Sequence, residues 1–331
     1  MIYIENTCTD PTCNLALEEY VFRQMGADEP VLLLWQNEPS VIIGRFQNTA
    51  EEINAGFVEQ RKIHVVRRGT GGGAVYHDLG NLNYSFIVPD VESKIDFGTF
   101  TIPVVKALLS LGVDAEQTGR NDILAGGRKF SGNAQQFADG RMLHHGTLMF
   151  DVCMEDVAAA LQVKEGKFRS KATKSVRSRV TNLKPLLAQA GAPEDMTTLD
   201  FKALLLDWFR KEYDLREIVL GEDQLARVRQ LRDEKYRSHD WNYGRSPAAD
   251  VVCGDFFRCG QVEFHISLRG SRIRRVRITG DFFAARDIEE LEQKLEGLPY
   301  EREALLAVLR DLPLDQYLGD VTAEELVKVI V

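Results

Sequence analysis

At 331 residues, the chain is long enough for about two domains of ~150 residues each. Hydrophobic residues make up 44% and charged residues 27%, an ordinary composition for a soluble protein, and no apolar run approaches the ~18 residues that span a bilayer. The net charge of -9 excludes general nucleic-acid binding, which needs a basic footprint to displace counterions.

The first ten residues carry no basic segment followed by an apolar stretch, so no signal peptide is expected and the cytosol is the expected compartment. Five scattered cysteines do not make a disulfide framework. Four residues separate Cys8 from Cys13 and five separate Cys253 from Cys259. Neither pair has structural-zinc spacing, and buried, reduced thiols are expected.

In chain order, Asp10-Pro11 reads as an N-cap followed by proline at the first helical position. Beyond it Cys13, Ala16, Leu17, Tyr20 and Val21 fall on one helical face. Short apolar runs at 31–35, 41–43 and 63–66, bounded by polar, Gly or Pro residues, suit buried strands, as does 82–88. A helix is expected over 97–111 despite Pro103. Residues 122–151 read as successive hairpins with turn pairs Gly126-Gly127 and Asp139-Gly140, and 154–163 as a short helix. Residues 164–184 hold eight Lys and Arg against one acid, Glu165. Their lack of period predicts a loop, and a basic island in an acidic chain suits an anionic ligand or an acidic partner; a solvated loop is the plain alternative. Helices over 198–213 and 222–236 follow. The pattern changes across 241–247, and beyond it come strand-like runs at 255–259, 262–268 and 273–279, then helices at 288–295, 302–309 and 323–330.

The densest chemical signal is Arg67-Arg68-Gly69-Thr70-Gly71-Gly72-Gly73-Ala74-Val75-Tyr76. Its glycines let backbone N–H groups converge on an anion, and Arg67 and Arg68 can add bidentate contacts to phosphate or carboxylate. A flexible glycine loop is the alternative. Gly69, Gly71 and Ala74 loosely match a dinucleotide fingerprint, but that fingerprint must open a helix. Here the turn-like Asp78-Leu79-Gly80-Asn81 and another strand follow, and no Gly-Lys-Ser/Thr completes a P-loop. A strand–loop–strand anion site is expected instead. The second signal is Gly119-Arg120-Asn121-Asp122 followed by Arg128-Lys129-Phe130-Ser131-Gly132-Asn133-Ala134. If 129–133 is a strand, Lys129, Ser131 and Asn133 share one face, and Lys129 can reach a ligand in a cleft. A surface lysine fits that spacing equally well. His144 and His145 would point to opposite faces of a hairpin, usually a structural arrangement.

These segments, with Asn14-Leu15-Ala16, Glu18-Glu19, His144-His145-Gly146-Thr147-Leu148, Lys174-Ser175-Val176-Arg177-Ser178-Arg179-Val180-Thr181-Asn182-Leu183 and Trp241-Asn242-Tyr243-Gly244, resemble in their order the A-type lipoate–protein ligases of the biotin/lipoate ligase family. With the elements above, the resemblance implies an α+β fold. Residues 1–247 would form a mixed, largely antiparallel sheet flanked by helices, and residues 248–331 a small α/β accessory domain. It implies that lipoate and ATP give lipoyl-AMP and pyrophosphate. The lipoyl group would then pass to a lysine of an apo lipoyl domain of a 2-oxoacid dehydrogenase or of glycine-cleavage H protein.

By the same resemblance Arg68, Gly73, Ala74, Val75, Tyr76, Asn121, Asp122 and Lys129 hold ATP. Lys129 is catalytic and touches both ligands, while Gly72 and Gly73 contact lipoate. Lys171, Lys174, Ser175, Val176 and Arg177 would belong to a loop that folds over the adenylate. Leu15, Trp35 and His145 are expected to wall an apolar tunnel, in which burial is worth ~0.8 kcal/mol per methylene. Mg²⁺ would be carried mainly by ATP, and a monomer is expected. The chemistry agrees: carboxylate attack on the α-phosphate brings two anions together, so Arg68, Lys129 and Mg²⁺ must offset charge. A closing loop containing Gly166 would keep water from the anhydride.

Three rivals stand beside this reading. An ATP-independent lipoyl or octanoyl transferase of the same fold would hold the acyl group on a cysteine, yet no cysteine lies between Cys13 and Cys153, and Cys153 is expected away from the cleft. A biotin ligase would carry a Gly-Arg-Gly-Arg type of loop, absent here. A non-catalytic acyl-binding protein would have no use for Arg68 and Lys129.

Overall fold

The apolar runs form strands buried on both faces. The computed structural model describes residues 1–91, 96–118, 121–161, 179–244 and 249–331. Its strands are β1 (Ile2–Ile4), β2 (Val31–Trp35), β3 (Ser40–Ile43), β4 (His64–Arg67), β5 (Val75–His77), β6 (Asn81–Val88), β7 (Ala115–Thr118), β8 (Asp122–Ala125), β9 (Arg128–Ala138), β10 (Arg141–Met149), β11 (Arg216–Ile218), β12 (Val251–Phe257), β13 (Gly260–Arg269) and β14 (Arg272–Gly280). The main sheet runs β11-β1-β2-β6-β10-β9-β8-β7. The pairings of β1 with β11 and β2 are parallel, and the others are antiparallel. The fold is therefore the expected α+β class with a mixed, largely antiparallel sheet.

Alternation along β2 shows how the sheet divides two cores. Leu32 and Leu34 join Tyr84, Phe86, Phe130 and Leu148 on the face covered by helices Phe97–Ser110 and Thr198–Glu212. Leu33 and Trp35 face the other way, toward helix Pro11–Arg23 and a small sheet. That helix starts as expected: Asp10 accepts from the Thr12 N–H at 2.8 Å, and Pro11 fills the first turn. Helix Phe97–Ser110 tolerates Pro103 because its face of Phe97, Thr101, Val104, Ala107 and Leu108 is buried. The turn pairs also fold as expected. Gly126 and Gly127 have φ of 56° and 72°, and Asp139 and Gly140 of 52° and 74°, the left-handed pair that tight hairpins need.

The small sheet runs β4-β3-β5, with β3–β4 parallel and β3–β5 antiparallel. Beyond residue 249, β12, β13 and β14 form an antiparallel sheet, followed by helices Ile288–Leu295, Arg302–Arg310, Leu314–Tyr317 and Ala323–Ile330. Phe264, Ile278, Leu291 and Leu326 build this core, and Phe46 from the first half of the chain enters it, stacked on Phe282 at 4.8 Å.

Some elements differ from expectation. β1 and β11 have three residues each, too few to display a period. The helix expected over 222–236 is an α-helix to Leu231 followed by a π-helical turn, Arg232–Tyr236. That wider turn delivers the Tyr236 hydroxyl to Glu19. Helix Met154–Ala160 is shorter than expected. The thiols are not uniformly buried: only Cys259 is, Cys153 is exposed, and Cys8, Cys13 and Cys253 are half-buried. The expected adenylate-loop residues Lys171, Lys174, Ser175, Val176 and Arg177, together with Gly119, Arg120, Gly166 and the boundary at residue 247, lie outside the described residues. No described helix is long and apolar enough to cross a membrane.

Candidate active site

The glycine loop joins β4 to β5, and the two arginines before it part company. Arg67 is buried and spends its guanidinium on the carbonyls of Gly44 at 2.8 Å, Arg45 at 3.0 Å, Gln47 at 2.7 Å and Trp241 at 2.9 Å. The Trp241 indole donates to the Arg67 carbonyl, and Asn242 Oδ1 accepts from its N–H, both at 2.8 Å. Arg67 therefore staples the Trp241-Asn242 segment to β4 and is not an anion ligand, contrary to the expectation for the pair. Arg68 faces the cleft. Its guanidinium donates to Thr70 Oγ1 at 2.9 Å and to the carbonyls of Ile42, Gly71 and Gly73 at 3.1, 2.6 and 2.9 Å. Burial pulls its pKa down to about 10, which leaves it charged at neutral pH. Arg68 thus shapes the loop and brings positive charge to it. Gly72 sits at φ 87°, where a side chain is strained, and donates its N–H to the Phe282 carbonyl at 3.2 Å.

A cleft lies between this loop and the main sheet. Leu15, Trp35, Arg68, Gly72, Gly73, Ala74, Val75, Asn121, Lys129 and His145 all line it, so most of the expected site residues come together. Tyr76 does not. Its ring packs with Val41, Val152 and Val157, and its hydroxyl donates to Asp156 at 3.4 Å. Its side chain is thus turned away from the cleft. Asp122 also does not line the cleft; its Oδ1 holds Lys129 Nζ at 2.7 Å. Asn121 braces β9, donating to the Asn133 carbonyl at 2.7 Å.

Lys129 reaches the cleft by a route that alternation does not give. Leu124 pairs with Lys129 but Ile123 with Ser131, so Phe130 is an extra residue in β9. Such a bulge re-aims the side chains on either side of it. Ser131 and Asn133 point to the far face, where Asn133 meets Tyr84 and Ser131. Lys129 instead shares the near face with Gly132, whose Cβ, if added, would lie 3.1 Å from Lys129 Nζ. The expectation that Lys129, Ser131 and Asn133 share a face is corrected accordingly. Segment 179–181 fixes the backbone here: Lys129 N–H donates to the Arg179 carbonyl and Thr181 N–H to the Lys129 carbonyl, both at 2.9 Å.

The histidines point to opposite faces as expected. His144 is fully buried, stacked on Phe100 at 5.1 Å and bonded to Gln135 at 2.9 Å, and burial holds its pKa well below the usual range. His145 belongs to a directed chain of hydrogen bonds. Arg68 donates to Thr70, whose Oγ1 lies 2.8 Å from His145 Nε2; His145 Nδ1 lies 2.9 Å from Glu18 Oε1. Ser85 donates to the same carboxylate at 2.6 Å and accepts from the Trp35 indole at 2.9 Å. Each buried polar group in this chain has a partner, the condition under which such networks hold a fixed geometry.

Glu18, His77 and Asn83 are site residues that the sequence reading passed over. Glu18 lies one helical turn after Leu15, so a carboxylate on a buried apolar face was its signal. His77 follows Val75 by two on β5 and lines the cleft. Asn14 Nδ2 donates to Asn37 Oδ1 at 2.8 Å, which leaves Asn37 Nδ2 to donate to His77 Nδ1 at 3.1 Å. The ring proton therefore sits on Nε2, and that buried atom has no partner among the described residues. Burial, then the charge of Arg68, lowers the pKa of His77 to about 3, so it is a neutral donor. Asn83 Nδ2, also lining the cleft, is a second unpartnered buried donor. No cysteine lines the cleft, and Cys153 is exposed at the N-cap of helix Met154–Ala160.

Known proteins share this sequence and fold. Residues 10–210 match the family described as lipoyl protein ligase A/B catalytic domain, and residues 246–330 the bacterial lipoate protein ligase C-terminus. The chain is similar to the lipoate-protein ligase LplJ of Bacillus subtilis (strain 168), 44% identical over 100% of both chains. A solved lipoate-protein ligase A bound with ATP is 30% identical, covering 74% of this chain and 98% of its own, with a TM-score of 0.63. A bipartite lipoate protein ligase of Thermoplasma acidophilum, studied with its E2 lipoyl domain, is 31% identical over 76% of this chain and 98% of its own, with a TM-score of 0.64.

Proposed function

The chain belongs to the lipoyl protein ligase A/B family, and on that premise we propose that it activates lipoate with ATP and transfers the lipoyl group to a protein lysine. The observation that carries this reading is the cleft itself. Lys129, turned inward by the bulge, shares it with the glycine loop, Arg68, Leu15 and Trp35.

In the first step the lipoate carboxylate attacks the α-phosphate and pyrophosphate leaves. Lys129 and Arg68 offset the charge of two anions meeting, and fixed positive groups in a partly dry cleft do so at little reorganisation cost. Lys129 is held by Asp122 until a ligand oxygen competes for it. Gly73, Ala74 and Val75 line the nucleotide end, Tyr76 supports it from the edge strand, and Asn121 supports it from the turn before β8. Gly72 and Gly73 border the lipoate carboxylate, with His77 and Asn83 offering donors to ligand oxygen. Leu15, Trp35 and His145 wall the acyl tail. In the second step an acceptor lysine amine attacks the activated carbonyl and AMP leaves.

Mg²⁺ would supply further charge neutralisation at the phosphates. It would enter with the ATP phosphates, since Mg²⁺ keeps several waters and binds largely through substrate phosphates. The proposed acceptors are apo lipoyl domains of 2-oxoacid dehydrogenases and glycine-cleavage H protein. The proposed setting is the cytosol, where ATP is supplied, with the chain acting as a monomer. Residues 1–247 would carry the chemistry and 248–331 act as the accessory domain. The test is pyrophosphate release: it should require both ATP and lipoate. Acyl transfer without ATP would favour the transferase reading, for which the cleft offers no cysteine.

A further inference from the structure

Two buried donors that line the cleft, His77 Nε2 and Asn83 Nδ2, have no partner among the described residues. Their residues are only 3% and 2% exposed. A buried donor left unsatisfied is costly, so two in one cleft mark a place that a ligand's acceptor completes. The remaining polar atom of each side chain is already fixed. Asn83 Oδ1 accepts from Asn81 Nδ2 at 3.0 Å, and His77 Nδ1 accepts from Asn37 Nδ2 at 3.1 Å. Sheet register gives their position. Asn83 on β6 lies opposite Trp35 of β2 on one side and Thr147 of β10 on the other, and residues so paired share a face. Thr147 Oγ1 accepts from the Gly132 N–H at 3.1 Å, and a Cβ on Gly132 would lie 3.1 Å from Lys129 Nζ. Asn83 thus stands between the apolar wall and the lysine. His77 comes from β5 in the small sheet, its ring 6.4 Å from that of Trp35 with planes 73° apart, so both donors flank Trp35.

We propose that His77 and Asn83 are catalytic residues of the transfer step, donating their N–H groups to the acyl oxygen of the adenylate as it becomes an oxyanion. This role rests on the ligase reading above. An acyl adenylate with its tail against Trp35 and its phosphate near Lys129 places its carbonyl between them, beside these donors. The nitrogen of the acceptor amine attacks the acyl carbon, and the π pair of the C=O bond moves onto oxygen, where the two N–H groups meet the new charge. As the C=O bond re-forms, the bond from the acyl carbon to the phosphate oxygen breaks; AMP leaves, and its phosphate takes the amine proton. Nothing is oxidised or reduced. Burial keeps His77 neutral. Neutral donors gain more from an oxyanion than from a neutral carbonyl, so they favour the transition state over the bound adenylate. In the first step the lipoate carboxylate loses charge as it attacks, so the same donors hold the ground state at least as tightly and do not speed adenylation.

The experiment separates the two steps, using the full-length chain and an apo lipoyl domain. Transfer is followed by intact mass in single turnovers from supplied lipoyl-AMP, and adenylation by pyrophosphate release in single turnovers from lipoate and ATP. Asn83→Ala and His77→Ala should each slow transfer by on the order of 10²- to 10³-fold, the usual loss for one oxyanion donor. Adenylation and the half-saturating concentration of lipoyl-AMP should change by less than about tenfold, as for a contact made mainly in the transfer transition state. His77→Gln, which offers an amide N–H, should recover part of the transfer rate. If circular dichroism shows Asn83→Ala unfolded, Asn83→Asp keeps an oxygen for Asn81 without the amide donor and should show the same selective loss. Near-normal transfer by the folded variants overturns the assignment, as does an equal loss in both steps, which a collapsed cleft would give. An unsubstituted protein that neither releases pyrophosphate nor transfers from lipoyl-AMP would instead overturn the ligase reading, and this role with it.

Discussion

Lys129 is proposed to act where negative charge accumulates, between the attacking carboxylate and the α-phosphate. Removing one preorganised electrostatic contact of this kind costs on the order of 10²- to 10³-fold in rate. Lys129→Ala is therefore expected to lower pyrophosphate release by about that factor while circular dichroism shows a folded protein; near-normal release would remove Lys129 from the chemistry. Lys129→Arg is expected to restore activity only in part, since a planar guanidinium is wider than a compact ammonium. Glu18 has a different role, as the acceptor for Ser85 and His145. Glu18→Ala leaves two buried donors without it, at a cost of ~1–3 kcal/mol each, and urea unfolding should show that loss; an unchanged midpoint would mean that the network holds nothing. At this scale the sequence marks residue types well and directions poorly. Arg67 and Arg68 are equivalent as letters, yet one is turned toward the Trp241-Asn242 segment and the other toward the glycine loop that borders the cleft. Lys129 is recognisable by its motif, but the bulge at Phe130 that aims it depends on its pairing with β8, which no local pattern records.

Elements show the same division. The hairpins of β8, β9 and β10 are legible because Gly126-Gly127 and Asp139-Gly140 allow the backbone only a few shapes there. The meeting of the glycine loop with the C-terminal sheet is not legible, because nothing near Phe282 signals a partner some two hundred residues away in the chain. That meeting is close: a Cβ on Gly71 would lie 2.3 Å from the Phe282 carbonyl oxygen. Gly71→Ala is accordingly expected to lower stability by about 1–3 kcal/mol, the usual cost of overpacking, measured as a reduced unfolding midpoint; a neutral effect would show that the contact yields freely. Cys153 is an exposed N-cap residue of helix Met154–Ala160, without a side-chain capping bond. Cys153→Ser should leave lipoylation intact, whereas loss of transfer with a trapped enzyme thioester would revive the transferase reading.

The whole molecule carries an acid-sensitive design. His77 is held neutral by burial with a pKa of about 3, and burial drives His144 well below its usual value, whereas in the unfolded chain each titrates near ~6.5. Below that value the unfolded state binds more protons, so the stability present above it is lost as pH falls toward the folded values, by up to ~1.4 kcal/mol per pH unit for each group. The melting temperature should therefore drop between pH 7 and pH 5, and His144→Gln should flatten the dependence; a flat profile in the unsubstituted protein would contradict neutral burial. Over the same molecule, Lys129, the glycine loop and the apolar wall form one cleft only because two sheets and the helix Pro11–Arg23 converge on it. The most direct measurement of what that cleft does is the intact mass of an apo lipoyl domain incubated with the protein, ATP, Mg²⁺ and lipoate. The expected result is a gain of one lipoyl group that disappears when ATP is omitted; an unmodified domain, or lipoylation from free lipoate without ATP, would contradict the ligase assignment.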